Sequence, residues 1–555
     1  ANGKIVLTFD EKVKLTDKAN ATLGTQKIEG VVSGKTITFA YKGLNYATAY
    51  TFTLAAGSVA DLTDNATDQA IVLNFTTKTK PAVTKALYDF IVPTDGDFKA
   101  ALAAAAKRTD TSKRFRIFIK QGDYKIPADE KSKVTGSDGK SYANPTTYMN
   151  TPNVSIIGES MDNTSLTNTV PNSGQSANVL EGIGKGDVLC LQKGATNTYF
   201  QDLKMYSSMG DAKGRDIILN DQSNKTICKN VNLWAYQDTY VSNNQNGKFY
   251  FEDGILRGRT DYLCGKGDVY YNNVELWICE KGGYLAVPSQ PKKYGYIFKD
   301  CTIKDATAAK DLNGNYTLGR PWGKGTPIAL YINTKMEAIP SAAGWNEMSG
   351  GYPKRFAEYN SYTSTGSIVD LKDRKKVYDA YDSKDGDNYV NRRNETAGNP
   401  ILTAEEAAAY TIETVMGQDD DWDPTAATEQ ASAPSNVKLN GTTLAWDNND
   451  YALLWAVCKN GKVVDFTIKP TYLVDDASAT WSVRAANEMG GLSEATAAVL
   501  GTGIHNIASA TDAAVIKTAI YAADGTQLSN LQKGINIIVK TLADGSKKTS
   551  KVIVK

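Results

Sequence analysis

The stretch Phe251-Glu252-Asp253-Gly254-Ile255-Leu256 carries a pattern that recurs through the middle of the chain. A mostly aromatic residue is followed two positions later by Asp or Asn, and then by further apolar residues. Five segments share this pattern, with their anchors at Asp202, Asn230, Asp253, Asn273 and Asp300. Successive anchors are 28, 23, 20 and 27 residues apart. Irregular periods of this size predict a solenoid of β coils, each burying its inward side chains against its neighbours.

The rest of the chain predicts several further β units, as expected for 555 residues, which are too many for one core. Short alternating strands fill residues 1–80 and resemble a bacterial Ig-like sandwich, and residues 432–500 resemble a fibronectin type III module. Residues 503–555 form another β unit that resembles C-terminal sorting modules of secreted bacterial proteins. The predicted fold class is therefore all-β, with a right-handed parallel β-helix over 81–425 flanked by small β-sandwiches.

One helix is expected at the start of the central region. Asp97 precedes the alanine-rich run 98–107, and an Asp N-cap before such a run is a strong helix start. We expect this helix to cover the open N-terminal end of the coil stack, where strand edges would otherwise be unpaired.

Composition excludes several classes of function. The 62 Lys and Arg balance 61 Asp and Glu without a basic stripe, which argues against a nucleic-acid partner. No run of about 18 apolar residues exists, so no membrane span is predicted. The six cysteines form no CxxC pair and are expected as buried free thiols. The chain begins at Ala1 inside a strand-like stretch, so a signal peptide has either been removed or was never included in this sequence.

The histidine count restricts the chemistry further. The sequence has one histidine, His505, near the C-terminus. No Ser-His-Asp triad, Cys-His pair or histidine-built zinc site can therefore exist in residues 1–504. Acid–base chemistry in the solenoid must use carboxylates, Lys, Tyr or Cys.

Two aspartates hold equivalent positions in adjacent repeats. Asp238 lies eight residues beyond Asn230, and Asp261 lies eight residues beyond Asp253. If the anchors stack, the two carboxylates lie on neighbouring strands, which are about 4.8 Å apart. One pKa should then rise, giving a proton donor beside an ionised nucleophile. Spacing alone leaves open that two loop aspartates merely line up, because Asp is common at coil corners.

Three ordered motifs favour the catalytic interpretation. They are Gln237-Asp238-Thr239, Asp261-Tyr262-Leu263-Cys264-Gly265 and Leu318-Gly319-Arg320-Pro321-Trp322. The first and third resemble the QDT and LGRPW motifs of the pectin methylesterases without change, and the second resembles a variant of their DFIFG motif. Order and spacing also agree. The likeness covers about residues 87–423.

The resemblance implies a hydrolase that removes methyl esters from galacturonate units of pectin without metal or cofactor. Asp261 would be the nucleophile, and Asp238 the acid that protonates methanol and later the base that activates water. Gln237 would donate to the oxyanion, since one such donor is worth about 2.7–4 kcal/mol. Arg320 would hold Asp261, and Trp322 would form a wall facing the sugar. The partner would be a pectic polysaccharide, and the location secreted, periplasmic or on a bacterial cell surface.

Departures from the family pattern leave some roles open. Arg215 replaces a second oxyanion glutamine; it could donate to the oxyanion, contact a second carboxylate on the sugar chain, or point away. Tyr262 is either a subsite wall or coil packing, and Tyr236 is a candidate for contacting sugar. Cys264 invites a thiol mechanism, but with no histidine nearby nothing would generate a thiolate.

Other functions on the same solenoid are also considered. A polysaccharide lyase would need a calcium-binding carboxylate cluster, and a polygalacturonase several carboxylates flanking a glycosidic bond. A non-catalytic carbohydrate-binding surface protein fits the flanking sandwiches, and an acetylated polymer could replace the methylated one. Retention of Asp238, Asp261, Gln237 and Arg320 favours the esterase.

Overall fold

The architecture is taken from a computed structural model of the chain. It describes residues 3–17, 19–41, 43–80, 86–171, 178–211, 214–307, 311–448, 452–500, 515–542 and 547–554. His505 and part of the interdomain segment that begins near Lys78 lie outside the described residues.

The central region is a parallel β-helix built from three sheets, which confirms the predicted fold class. In the described residues, ten parallel strands form sheet A: Phe90–Val92, Phe115–Ile119, Val154–Gly158, Tyr199–Gln201, Thr226–Lys229, Lys248–Glu252, Asp268–Asn272, Tyr296–Lys299, Ile328–Ile332 and Arg355–Tyr359. Nine described strands form sheet B: Gly122–Lys125, Thr164–Thr167, Lys204–Tyr206, Asn232–Trp234, Ile255–Gly258, Glu275–Ile278, Thr302–Asp305, Lys335–Met336 and Tyr362–Thr363. Seven described strands form sheet C: Tyr148–Met149, Leu189–Leu191, Leu219–Asp221, Tyr240–Ser242, Thr260–Gly265, Gly283–Pro288 and Tyr316–Gly319.

The sequence repeat is the register of these coils. In sheet A, Phe251 pairs with Tyr271, which pairs with Phe298. Their rings stack inside the helix, with centroids 5.2 Å and 4.5 Å apart, and Tyr331 continues the stack at 4.3 Å from Phe298. The aromatic residue that opens each repeat is therefore an inward residue packed on its equivalent in the next coil.

The anchors form the turn between sheets A and B. All five have a positive φ between 47° and 58°, the left-handed region that Asn and Asp tolerate best. Asn230 donates through Nδ2 to Asp202 at 2.6 Å, and Asn273 donates to Asp253 at 2.7 Å. This side-chain ladder satisfies polar groups at each turn and keeps successive coils aligned.

The predicted helix caps the stack. It spans Phe98–Lys107, and the Asp97 carboxylate accepts from the Ala100 backbone N–H at 2.8 Å. Its buried face, which includes Phe98 and Leu102, joins the cluster that fills the solenoid interior. The helix thus covers the N-terminal end of the core, as the sequence predicted.

The flanking regions are β structures. Strands of the N-terminal sandwich are Gly3–Thr8, Val13–Leu15, Ala21–Leu23, Gln26–Ile28, Gly30–Ser33, Thr36–Tyr41, Ala49–Leu54, Val59–Asp61 and Ile71–Thr76. Two four-stranded sheets are formed by Lys438–Asn440, Thr443–Ala445, Leu454–Lys459, Lys462–Thr467, Thr471–Leu473, Trp481–Ala486, Thr496–Ala497 and Val499–Leu500. A last sheet contains Val515–Ala522, Gln527–Leu528, Gly534–Leu542 and Lys547–Val554. The fibronectin-like and sorting-like assignments stay predictions.

The outer face of sheet A is covered. The two four-stranded sheets within residues 438–500 are called the C-terminal sandwich. Its Phe466 packs on Tyr88 and Phe118, with ring centroids 4.9 Å and 5.3 Å away. Polar contacts reinforce the junction, since Glu159 accepts from the Val463 N–H at 2.5 Å and its carbonyl accepts from Arg484 at 2.7 Å. This sandwich is therefore part of the packed body.

The remaining elements are the helices Ala404–Ala408 and Thr425–Thr428, the π-helical turn Glu413–Gly417, and the hairpin strands Asp129–Thr135, Ser141–Asn144, Val377–Ala380, Ser383–Asp385, Asn388–Val390 and Arg393–Thr396.

Two further sequence predictions concern the cysteines and membrane-spanning segments. All six cysteines are buried free thiols, as expected. Within the described residues no helix has the length and apolar character needed to cross a bilayer.

Candidate active site

Asp238 and Asp261 lie side by side at the turn from sheet B to sheet C. Gln237 and Thr260, the residues just before them, form a parallel β-bridge, and the Asp238 N–H donates to the Thr260 carbonyl at 3.3 Å. Both aspartates have a left-handed backbone, with φ of 56° and 51°, and each is 6% exposed. Matching left-handed backbones support equivalent positions on adjacent coils. The stacking expected from the eight-residue spacing is therefore present.

Asp261 is held by a cation on both of its oxygens. Arg320 donates from Nε to Oδ1 at 2.9 Å and from Nη2 to Oδ2 at 2.6 Å. The guanidinium also lies 4.0 Å from the ring centroid of Tyr284. Two parallel charge-assisted hydrogen bonds fix the carboxylate in one orientation.

Asp238 has a different environment. Burial raises the pKa of its carboxyl group to about 7, and the neighbouring Asp261 charge adds to the rise. Arg215 opposes it, because its Nε lies 3.2 Å from Asp238 Oδ2, and Arg320 opposes it more weakly. The Cys264 thiol lies 3.8 Å from the other oxygen. Asp238 can therefore carry a proton near neutral pH, which a general acid requires.

The two carboxylates open into one cavity of about 160 Å³. Its wall combines these charges with apolar side chains, as in many ligand sites. Trp322 forms part of the wall and is 40% exposed. The lining residues are Ile183, Arg215, Asp238, Asp261, Cys264, Val287, Trp322 and Met348.

The remaining predicted residues are placed less directly. Arg320 binds Asp261 but does not itself line the cavity. Gln237 is half-buried, precedes Asp238 in the same turn, and does not line the cavity either. Tyr262 has no exposed surface and belongs to the interior cluster, so its substrate-contacting role is wrong and the packing alternative holds. Tyr236 is 5% exposed, and its hydroxyl donates to Glu280 at 2.7 Å, which leaves little surface for a sugar.

Cys264 has no thiolate character. Burial raises the pKa of its thiol well above the usual range, and the charges of Asp238 and Asp261 raise it further. This agrees with the rejection of a thiol nucleophile. Among the described residues no set of three or more His, Cys, Asp and Glu side chains has a metal-site arrangement.

Sequence reasoning missed three lining residues, Ile183, Val287 and Met348. Each is a single apolar side chain without a local motif, and they come from distant parts of the chain. Val287 could have been found by register, since it pairs with Cys264 in sheet C. Ile183 and Met348 lie in loops, where no register existed to use.

Comparison with known protein families identifies the family to which the chain belongs. The family model described as pectinesterase matches residues 89–399, more than half of the chain, and includes Asp238, Asp261 and Arg320. This chain belongs to the pectinesterase family. Residues 1–77 match the model described as a bacterial Ig-like domain, which agrees with the predicted N-terminal module.

Individual pectinesterase relatives are distant. The chain is 23% identical over 301 residues to pectinesterase/pectinesterase inhibitor U1 of Solanum lycopersicum, covering 52% of this chain and 47% of that one. It is 29% identical over 165 residues to probable pectinesterase A of Aspergillus oryzae, covering 28% of this chain and 48% of that one. The chain thus spans about half the length of the curated relatives it matches.

Solved structures similar to this chain include pectin methylesterases. The carrot enzyme has a TM-score of 0.45 at 17% identity, covering 63% of this chain and 99% of that chain. PemA from Erwinia chrysanthemi has a TM-score of 0.43 at 21% identity, covering 62% of this chain and 99% of that chain.

Proposed function

We propose that the chain hydrolyses methyl esters on galacturonate units of pectin and releases methanol. One observation carries the proposal. Asp238 and Asp261 follow each other on adjacent coils and open into the same cavity, yet one is bound through both oxygens by Arg320 and the other has a pKa near 7. Two carboxylates whose environments give them different pKa values can act as proton donor and as ionised nucleophile.

The first half of the reaction forms an acyl-enzyme. Asp261 Oδ attacks the ester carbonyl carbon, and the carbonyl π electrons move to oxygen to give a tetrahedral oxyanion. When the intermediate collapses, the C–OCH₃ bond breaks and Asp238 donates its proton to the departing methoxide oxygen. The products are methanol, an anhydride between the uronate and Asp261, and an ionised Asp238.

The second half restores the enzyme. Asp238, now a carboxylate, takes a proton from a water molecule as that water attacks the uronate carbonyl of the anhydride. Breaking the anhydride bond returns Asp261 as a carboxylate and leaves a free uronic acid. Asp238 ends protonated, so each proton taken is matched by one given.

The roles of three other side chains are part of the proposal. Arg320 orients the nucleophile, and Trp322 offers an exposed ring face to the sugar. Gln237 would have to rotate toward the cavity to donate to the oxyanion, since it does not line the cavity in this conformation. We further propose a pectic polysaccharide as partner and a site of action outside the cell.

The test is methanol release from highly methylated pectin by the purified chain and by Asp261→Asn. We expect release by the parent and a loss on the order of 10⁴-fold or more in the variant, as for removal of other nucleophiles. Asp253→Asn is the matched control, because Asp253 has the same left-handed backbone but does not line the cavity. Thermal unfolding of each variant verifies folding.

Either of two outcomes would reject the proposal. A folded parent that releases no methanol is not a pectin methylesterase, and acetate release from acetylated pectin would then identify the alternative ester. Activity retained by Asp261→Asn would show that Asp261 is not the nucleophile.

A further inference from the structure

A cluster of three side chains covers part of the outer face of sheet B, beside the turns that carry Asp238 and Asp261. It consists of Asp211, Trp234 and Arg257 and is called the clasp. Arg257 donates from Nη1 and Nη2 to the two oxygens of Asp211, at 2.6 Å and 2.8 Å. The Trp234 Nε1–H donates to the same carboxylate at 3.2 Å, and the guanidinium carbon lies 4.1 Å from the indole centroid. Three hydrogen bonds to one carboxylate and a cation–π contact therefore hold the clasp together.

The clasp joins the three coils that supply the polar wall of the cavity. Trp234 and Arg257 pair across neighbouring strands of sheet B. Each clasp residue precedes a residue of the cavity wall by four positions: Asp211 before Arg215, Trp234 before Asp238, and Arg257 before Asp261. These wall residues come from three successive coils, whose turns are linked by parallel bridges from Arg215 to Gln237 and from Gln237 to Thr260. A contact within the clasp therefore acts across all three coils.

Backbone hydrogen bonds between these coils are long at the turns. The Asp238 N–H donates to the Thr260 carbonyl at 3.3 Å, and the Asp216 N–H donates to the Gln237 carbonyl at 3.4 Å. The common N···O distance is about 2.9 Å, so these bonds are stretched. Pairing at the turns consists of isolated bridges, whereas the strands on either side form continuous ladders. Side-chain contacts near the turns therefore gain importance for the spacing of the coils.

The charge balance of the clasp depends on Asp211. Arg257 is 7% exposed, and Asp211 is its one acidic partner within the described residues. A second cation is close, because Lys204 Nζ lies 4.2 Å from the centroid of the Trp234 ring. Loss of the Asp211 charge would leave a buried guanidinium unpaired beside another cation, and Arg257 would then move toward water.

We propose that Asp211 and Arg257 are positioning residues, whose ion pair sets the spacing of the three coils that supply the polar wall of the cavity. Neither belongs to the described lining, so both act through other residues. One contact that depends on this spacing is the 3.2 Å between Arg215 Nε and Asp238 Oδ2, because its two side chains come from different coils. The inference rests on the proposed function and extends it to residues that do not contact the substrate.

A purely structural role of the clasp predicts different behaviour. Loss of the ion pair would then lower the free energy of unfolding but leave the folded enzyme unchanged. A positioning role predicts a weaker contact between Arg215 and Asp238 and a higher pKa of Asp238, because Arg215 opposes the effect of burial. The other titratable and charged groups that face Asp238 are Asp261, Cys264 and Arg320, and all three remain in a variant of Asp211.

The substitution Asp211→Asn separates positioning from direct electrostatics. Removal of a negative charge lowers the pKa of nearby carboxyl groups, so its direct effect on the pKa of Asp238 is downward. Positioning predicts an upward change of the same pKa. The direction of the change is therefore the informative readout.

The first measurement is kcat/KM for methanol release against pH. In Asp211→Asn the alkaline limb should move to higher pH by about 0.5 unit or more. Arg257→Lys keeps the charge but loses the two-bond geometry, and it should move the limb in the same direction.

The matched control is Asp379→Asn, because Asp379 makes the same two-bond pair with Arg392 in a surface hairpin. This variant should keep the limb of the parent, and thermal unfolding verifies that each variant is folded. A limb that stays in place or moves to lower pH in folded Asp211→Asn would overturn the proposal.

Titration of Asp238 separates this inference from the proposed function, because it needs no turnover. Protein labelled with carbon-13 at the aspartate carboxyl groups is titrated by NMR, and Asp238→Asn identifies the signal. The pKa should be about 7 in the parent and higher in Asp211→Asn. An equal or lower pKa in the variant would overturn the role of the clasp even if methanol release is confirmed. A higher pKa would support it even if the parent hydrolyses another ester.

Discussion

Arg320 donates to both oxygens of Asp261, at 2.9 Å and 2.6 Å, from a position 59 residues further along the chain. The side chain of Asp261 is 8% exposed and that of Arg320 is 21% exposed, so neither charged group is well hydrated. Removal of one partner from such a pair leaves a charge poorly compensated, which commonly costs about 3–5 kcal/mol. Loss of either partner alone should therefore disturb the site geometry and destabilise the coil stack.

This relationship predicts strong coupling between the two side chains. Arg320→Gln should lower the free energy of unfolding by about 2–4 kcal/mol in the parent but by much less in Asp261→Asn, where no anion is left unpaired. The measurement is a double-mutant cycle by urea denaturation of the central domain. Additive effects of the two substitutions would contradict the coupling.

The ion pair between Arg215 and Asp238 predicts a shift in the pH dependence of activity. Arg215 lowers the pKa of Asp238, which burial has raised to about 7. If Asp238 donates the proton to methoxide as proposed, it must be protonated, and activity should fall as pH rises through that pKa. Arg215→Gln removes the lowering influence, and the alkaline limb of kcat/KM against pH should move to higher pH. A limb that stays in place or moves to lower pH would contradict the proton-donor role of Asp238.

A second buried carboxyl group, Asp216, should make stability depend on pH. It is 3% exposed, its Oδ2 accepts from the Ser207 hydroxyl, and its Oδ1 has no partner in the described chain. Burial raises its pKa to about 7, above the value of the unfolded chain. Between about pH 4 and 7 the folded state therefore binds more protons than the unfolded chain, so stability falls as pH rises across this range and levels off above about pH 7.

Asp216→Asn removes that ionisation. The free energy of unfolding of the variant minus that of the parent should increase by about 1–4 kcal/mol from pH 5 to pH 8. The reason is that only the parent must bury a charge at this position at the higher pH. Burial also raises the pKa values of Asp187 and Asp221, to about 6, but both groups remain in each protein and largely cancel. Asp385→Asn, at an exposed position, is the control and should show no such trend. A pH-independent difference for Asp216→Asn would contradict the raised pKa.

The contact of the C-terminal sandwich with sheet A can be tested at Phe466. The ring is 6% exposed and packs against Tyr88 and Phe118, so Phe466→Ala should destabilise the junction by about 3–5 kcal/mol. Limited proteolysis between the solenoid and the sandwich should become faster. Val464→Ala, at a residue 44% exposed on the same strand, should change stability by less than about 0.5 kcal/mol. Equal protease resistance of both variants would argue for a loosely tethered module.

The solenoid and the stacking of Asp238 on Asp261 could be predicted because both depend on spacing along the chain. Each coil is one repeat long, so the anchor Asp253 and the nucleophile candidate Asp261 keep their offset in the neighbouring coil at Asn230 and Asp238. The Asp97 helix cap was likewise predicted from adjacent residues. Local chemistry and the repeat length determined these features.

The roles of Tyr262, Gln237 and the apolar lining depended on direction and distance in space. Whether a strand side chain points into the core or the cleft changes with a single residue, and the register shifts between Thr260 and Leu263, so alternation could not assign Tyr262. Ile183 and Met348 reach the cavity from loops, and sequence spacing carries no information on loop paths.

The sequence by itself thus determined the coil repeat, the all-β architecture, the lack of histidine in residues 1–504 and the matching positions of Asp238 and Asp261. Only the tertiary structure decided that Asp238 is buried with a pKa near 7, that Arg320 binds both oxygens of Asp261, and that Arg215 faces the shared cavity. The physical reason is that the repeat depends only on the spacing of residues along the chain. Burial and electrostatic environment are instead set by every chain segment that surrounds a group.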